Sequence, residues 1–150
     1  MSSQVIKEKI DRIFEYLKIL EKYKDISYQV FLEETHLIVE RIFELLITTS
    51  TDILMHKMAT EEESLPTTLR ATFLRAGELN WIPTDLAQKL ADAAGMRNIL
   101  VYGYEKVDLK IIHDSIKPAL KDYTLFCEFI LKKISLELIN TQQPGDFYPI

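Results

Sequence analysis

Arg97, Asn98, Tyr102 and Tyr104 fall within the eight residues 97–104, around Gly103, where an apolar helical run ends. A guanidinium, a carboxamide and two phenols suit the recognition of phosphates and nucleobases. The planar fork of arginine matches a phosphate and can stabilise charge that develops during phosphoryl transfer. Arg97 also continues the apolar stripe of its helix, where a guanidinium needs a carboxylate, a partner chain or an anionic ligand. Asp52 or a glutamate would satisfy it structurally, and a phosphate would satisfy it functionally. Tyr102 follows Arg97 by five residues, about 500° around an ideal helix, so the two share a site only where the helix unwinds. Gly103 marks that place. Tyrosine has a reference pKa of ~10 and is a poor base at pH 7. It can donate a hydrogen bond or stack on an unpaired base. Tyr104 has two readings: a phenol packed on the last helix, or one presented to another molecule just past Gly103.

Elsewhere the chemistry is sparse. Asp52 and His56 are one helical turn apart and can lie side by side. Of the three histidines, His36 reads as structural and His113 as a surface or capping residue. His56 is the one that could supply a base. The single cysteine, Cys127, excludes an internal disulfide framework and a multi-cysteine zinc site, and reads as a small buried residue. The formal net charge of −5 argues against holding nucleic acid through the overall field. Any RNA contact must therefore be local, through a few cations in a cleft. No apolar run reaches the ~20 residues that span a bilayer, and the N-terminus lacks a signal-peptide layout. A cytoplasmic protein is the expectation.

The positioning elements are helical. Ile6, Ile10, Ile13, Leu17 and Leu20 stripe a first helix. A second run, from about 27 to 58, carries Phe31, Thr35, Ile38, Ile42, Leu45, Thr49, Asp52 and His56, a stripe that turns from apolar to polar. A polar residue at a core-facing position must be paired or line a cavity. A short helix with Leu69 and Phe73 follows, capped by Ser64 or Thr67 and closed by Gly77. Thr84 caps the next helix, whose stripe is Leu86, Leu90, Ala93, Arg97 and Leu100. Asp108 caps the last, with Ile112, Ile116, Ala119, Tyr123, Phe126, Ile130 and Ile134 on one face. Pro118 predicts a kink or an irregular start in that helix. No strand alternation, repeat or linker is visible. The composition, 47% hydrophobic with four glycines and five prolines over 150 residues, fits one all-α domain. The expected architecture is an up-down bundle of four to five helices over residues 1–140, with a C-terminal tail over 141–150.

Three stretches then stand together: Arg97-Asn98 with Tyr104-Glu105-Lys106-Val107-Asp108; Thr51-Asp52-Ile53-Leu54-Met55-His56; and Leu86-Ala87-Gln88-Lys89-Leu90. Over roughly residues 3–139 the chain resembles the HepT-type HEPN-domain ribonucleases, the toxins of toxin–antitoxin pairs, whose signature is Arg-Asn-x-x-x-His-x-Tyr. The resemblance implies a HEPN-like bundle that cleaves RNA, with tRNA one candidate, without metal or cofactor. It implies Arg97 and Asn98 at the RNA phosphate and Asp52 as the polar residue that approaches the motif. Tyr104 would accept AMP from a minimal nucleotidyltransferase antitoxin of the MntA kind, and the chain would form a homodimer or higher homo-oligomer. Tyr102 departs from the pattern by standing where the family has its catalytic histidine. Loss of a general base typically costs ~10²–10⁴ in rate, so weak cleavage is expected. The alternative is a non-catalytic HEPN partner that helps a nucleotidyltransferase hold its nucleotide or substrate. A third reading, a dimeric helical scaffold, requires Arg97 in an ion pair away from any cleft.

Overall fold

The computed structural model describes residues 2–95 and 108–141. Arg97, Asn98, Tyr102, Gly103, Tyr104 and the tail from 142 onward lie outside the described residues. The described chain is helical throughout. Its elements are α1 (Ser2–Glu21), α2 (Tyr28–Val30), a π-helical turn (Phe31–Thr35), α3 (His36–Thr60), α4 (Leu69–Glu78), α5 (Thr84–Ala94), α6 (Leu109–Asp114) and α7 (Ile116–Thr141). No described helix is long and apolar enough to cross a membrane. The all-α, HEPN-like bundle read from the sequence is the fold observed.

The core forms because each long helix turns one stripe inward. Ile6, Ile10, Ile13, Leu17 and Leu20 of α1 are all buried, as the spacing predicts, and α1 packs on α3 and α7. Along α6 and α7 the full predicted stripe from Ile112 to Ile134 is buried. Phe73 of α4 meets Phe126 of α7 edge to face, with ring centroids 6.3 Å apart, and joins the short helices to the long ones. Cys127 is buried, and burial pushes its thiol up to about 12, which fits a packing residue.

The second run departs from its predicted stripe. Phe31 is buried, but Ile38 is exposed and Val39 takes its place in the core. The π-turn over Phe31–Thr35 inserts one extra residue per turn and advances the buried face by one position. From there the core face of α3 runs through Val39, Ile42, Phe43, Leu46, Ile47, Thr49, Ile53, Leu54 and Met58, so Ile42 and Thr49 of the predicted stripe are buried. Asp52 falls on the opposite side of the helix, and His56 on its half-buried flank.

The turns use residues the sequence did not single out. Thr68, not Ser64 or Thr67, caps α4, its hydroxyl accepting from the Ala71 N–H at 3.0 Å. Gly77 lies inside α4 rather than closing it. A Cβ added there would sit 2.7 Å from the Ala87 Cβ, so Gly77 permits the close approach of α4 to α5. The helix closes on Asn80, at φ 62°, with Trp81 N–H donating to Ala76 C=O at 3.0 Å and Asn80 N–H to Gly77 C=O at 3.1 Å. Pro83 rather than Thr84 precedes the first turn of α5 as its cap.

Asp108 caps α6 as predicted, accepting from the Lys110 and Ile111 N–H groups at 3.1 and 3.3 Å. The predicted kink is also present. The ring of Pro118 opposes the carbonyl four residues earlier, that of Asp114, and α6 ends there.

Candidate functional site

Of the residues that sequence reasoning assigned to chemistry, Asp52 and His56 are described. Asp52 stands on the outward face of α3 with its side chain 63% exposed. Its nearest charged partner is the Lys9 ammonium of α1, at 4.0 Å, and a pair this open is worth little. The expectation that Asp52 faces the core is thus corrected. The carboxylate is hydrated and has free acceptor positions for an arginine, a hydroxyl or a nucleobase edge.

His56 lies one turn further along the same face and is half-buried. Its Nε2 is shielded from solvent and has no hydrogen-bond partner among the described residues. The other two histidines differ. His36 Nδ1 pairs with Glu40 Oε2 at 2.8 Å on its own helix. His113 is not the surface residue expected: its Nε2 lies 2.7 Å from the Ile26 carbonyl, and its ring packs against Phe31 and Tyr28. It ties α6 to the loop after α1, and Lys110 covers the Tyr28 ring from the same helix at 4.9 Å.

Sequence reasoning missed Lys57. Only 3% of its side chain is exposed, although the next residue, Met58, is core. Its Nζ lies 2.6 Å from Glu137 Oε1, 2.8 Å from Glu61 Oε2 and 4.8 Å from the centre of the Trp81 ring. One ammonium therefore joins the ends of α3 and α7 to the turn between α4 and α5. The available signal was its register, four residues after Ile53 on the buried side.

A cleft of about 280 Å³ opens between α5 and the α6–α7 joint, lined by Leu90, Ala93, Ile111, Pro118, Asp122 and Tyr123. Burial raises the Asp122 carboxyl, with Lys89 and Lys121 opposing that effect. Burial also raises the Tyr123 phenol, whose oxygen has no partner among the described residues. The walls are α5, after which the motif residues follow in sequence, and α6, before which they end.

A family profile described as Ribonuclease HepT-like matches residues 6–130. The chain is 28% identical over 144 residues, 95% of each protein, to a tRNA nuclease HepT of Aphanizomenon flos-aquae (strain 2012/KM1/D3). Among solved structures it is similar to a tri-AMPylated Shewanella oneidensis HEPN toxin in complex with its MNT antitoxin. The TM-score is 0.77 at 23% identity, covering 85% of this chain and 97% of that one. A second, a toxin–antitoxin with AMP-PNP, gives a TM-score of 0.74 at 23% identity, covering 84% and 97%. At these identities the structural matches speak for the fold.

Proposed function

The chain belongs to the Ribonuclease HepT-like family, and from that membership we propose that it is the RNA-cleaving toxin of a toxin–antitoxin pair, attenuated by Tyr102. The observation that carries the reading is the match over residues 6–130 to a ribonuclease family, together with Arg97, Asn98 and Tyr104 in the family's spacing. The nearly full-length similarity to a protein named tRNA nuclease makes tRNA the first substrate to test.

In the proposed reaction the ribose 2′-hydroxyl attacks the adjacent phosphorus and the 5′-oxygen leaves. Arg97 neutralises the phosphate and Asn98 hydrogen-bonds beside it. Asp52, hydrated and unclamped on α3, orients the guanidinium or the hydroxyl. Tyr102 holds the position of the base, which a phenol fills poorly near neutral pH. Proton transfer and charge stabilisation suffice for this chemistry, so no metal or cofactor is required. Residues 1–140 serve as one domain and 141–150 as a tail. Two copies related by a two-fold axis would bring the ends of their Arg97 helices to one RNA cleft.

The proposed partner is a minimal nucleotidyltransferase, as the antitoxin is in the similar solved complex. Tyr104 is the proposed acceptor. AMP there would place a bulky anion close in sequence to Arg97 and oppose RNA phosphates by charge and volume. Tyr102 also favours a second reading, a non-catalytic helical subunit that binds RNA or nucleotide for such a partner. Cleavage of tRNA by the purified chain, in the presence of a chelator, separates them. Slow cleavage that is lost with Arg97→Ala supports the toxin. Arg97-dependent binding without cleavage, even after Tyr102→His, supports the subunit.

A further inference from the structure

We infer that His56 is the general base of this chain's residual RNA cleavage, an inference that rests on the nuclease reading above. Three histidines are available, and two have partners. His36 is held by Glu40, and His113 by the Ile26 carbonyl inside an aromatic cage. His56 Nε2 is shielded and has no partner among the described residues; His113 Nδ1 is likewise shielded without a hydrogen bond, but that ring is fixed through its Nε2. A buried nitrogen without a hydrogen bond destabilises a folded protein, so its retention calls for an explanation. A substrate hydroxyl that completes the hydrogen bond would supply one.

The placement fits. His56 follows Asp52 by one turn of α3, so the half-buried imidazole and the exposed carboxylate lie side by side. The other ionisable groups on the surrounding elements are largely committed. Lys9 of α1 reaches Asp52; Lys57 is held by Glu61 and Glu137. On α4, which touches α3 through Met55 and Thr72, Arg70 pairs with Asp92 and Arg75 with Glu63 and Glu78. As a residue type, imidazole suits proton abstraction near neutral pH, whereas a phenol does not.

The step balances simply. Nε2 takes the proton of the 2′-hydroxyl as the 2′-oxygen–phosphorus bond forms and the bond to the 5′-oxygen breaks. The 5′-oxygen takes a proton from water, and the imidazolium returns its proton to the hydroxide. The products are a 2′,3′-cyclic phosphate and a 5′-hydroxyl.

The test measures cleavage of a tRNA transcript by the intact chain from pH 5 to 8. The expected rate rises with pH and levels off, because the base must be neutral to accept the proton. His56→Gln should lower the plateau by at least ~10² and remove that limb, while His36→Gln leaves both in place. Free imidazole added to His56→Ala should restore cleavage, which separates loss of the base from loss of the fold. Equal rates and profiles for His56→Gln and the unmodified chain would overturn the inference. So would an unmodified chain with no cleavage beside an active Tyr102→His, which leaves the nuclease reading standing. No cleavage by either overturns the nuclease reading and His56 with it.

Discussion

Replacing Lys57 tests whether one buried ammonium joins the ends of the bundle. In Lys57→Ala three methylenes of a stem that is 3% exposed disappear. At ~0.8 kcal/mol each, the packing loss is about 2.4 kcal/mol. The ion pairs add less than a fully buried pair would. Glu61 and Glu137 are 41% and 38% exposed and can rehydrate, so about 1 kcal/mol is a fair total for both. Lys57→Ala should therefore cost about 3 kcal/mol. Lys57→Met keeps the stem and removes the charge together with its desolvation, and should cost about 1 kcal/mol or less. For a domain of this size 1 kcal/mol shifts Tm by about 2–4 °C, so about 6–12 °C separates Lys57→Ala from the unmodified chain and at most about 4 °C separates Lys57→Met. Urea titration followed by far-ultraviolet circular dichroism and by the fluorescence of Trp81, the only tryptophan, reads both variants. Equal losses for Ala and Met would refute the division into a large packing part and a small charge part. An unchanged Lys57→Ala would refute the joint altogether.

Three further outcomes follow. Gly77→Ala pushes a methyl to 2.7 Å from the Ala87 Cβ, where neither backbone-anchored carbon can turn aside; overpacking should outweigh the helix-propensity gain, for a net loss of about 1–2 kcal/mol in denaturant titration. The raised Asp122 carboxyl binds its proton more tightly folded than unfolded, so it favours folding below the unfolded pKa and loses that advantage as pH rises through the folded one. Asp122→Asn should therefore raise Tm at pH 7 relative to the unmodified chain and narrow that gain toward pH 3; a gain that grows on acidification contradicts the sign. Tyr104→Phe should abolish AMP transfer from a cognate nucleotidyltransferase with ATP and Mg²⁺, read as intact mass, while Tyr102→Phe should not; equal labelling of Tyr104→Phe removes the assignment.

Where one residue type at one period decides burial, the sequence was legible. The stripes of α1 and α6–α7 are buried residue for residue, and Pro118 breaks the helix at Asp114 by removing a donor and crowding a carbonyl. The α3 stripe was misread in part, at Ile38 and Asp52 but not at Ile42 and Thr49, because a one-residue π insertion shifts the buried face and leaves no periodic mark. That shift moved Asp52 from the expected interior to the outward face and left His56 half-buried beside it. Gly77 was taken for a cap because glycine serves both left-handed turns and close helix contacts, and only the packing partner distinguishes the two. Lys57 was hidden because a lysine in a helix normally extends to water, and its glutamate at 137 is remote in sequence. The motif residues 97–104 lie outside the described residues, and the roles proposed for them rest on their spacing and family pattern.

We propose a HepT-like ribonuclease toxin weakened by the phenol of Tyr102. The most direct measurement is bacterial growth on inducing the unmodified chain, Tyr102→His, and Tyr102→His with Arg97→Ala, each at matched protein level. The account predicts mild or no growth arrest with the unmodified chain and strong arrest with Tyr102→His, in line with a general-base factor of ~10²–10⁴ in cleavage. Arg97→Ala should cancel the arrest. Growth unaffected by Tyr102→His, with the protein folded and no tRNA cut in the cells, would contradict it.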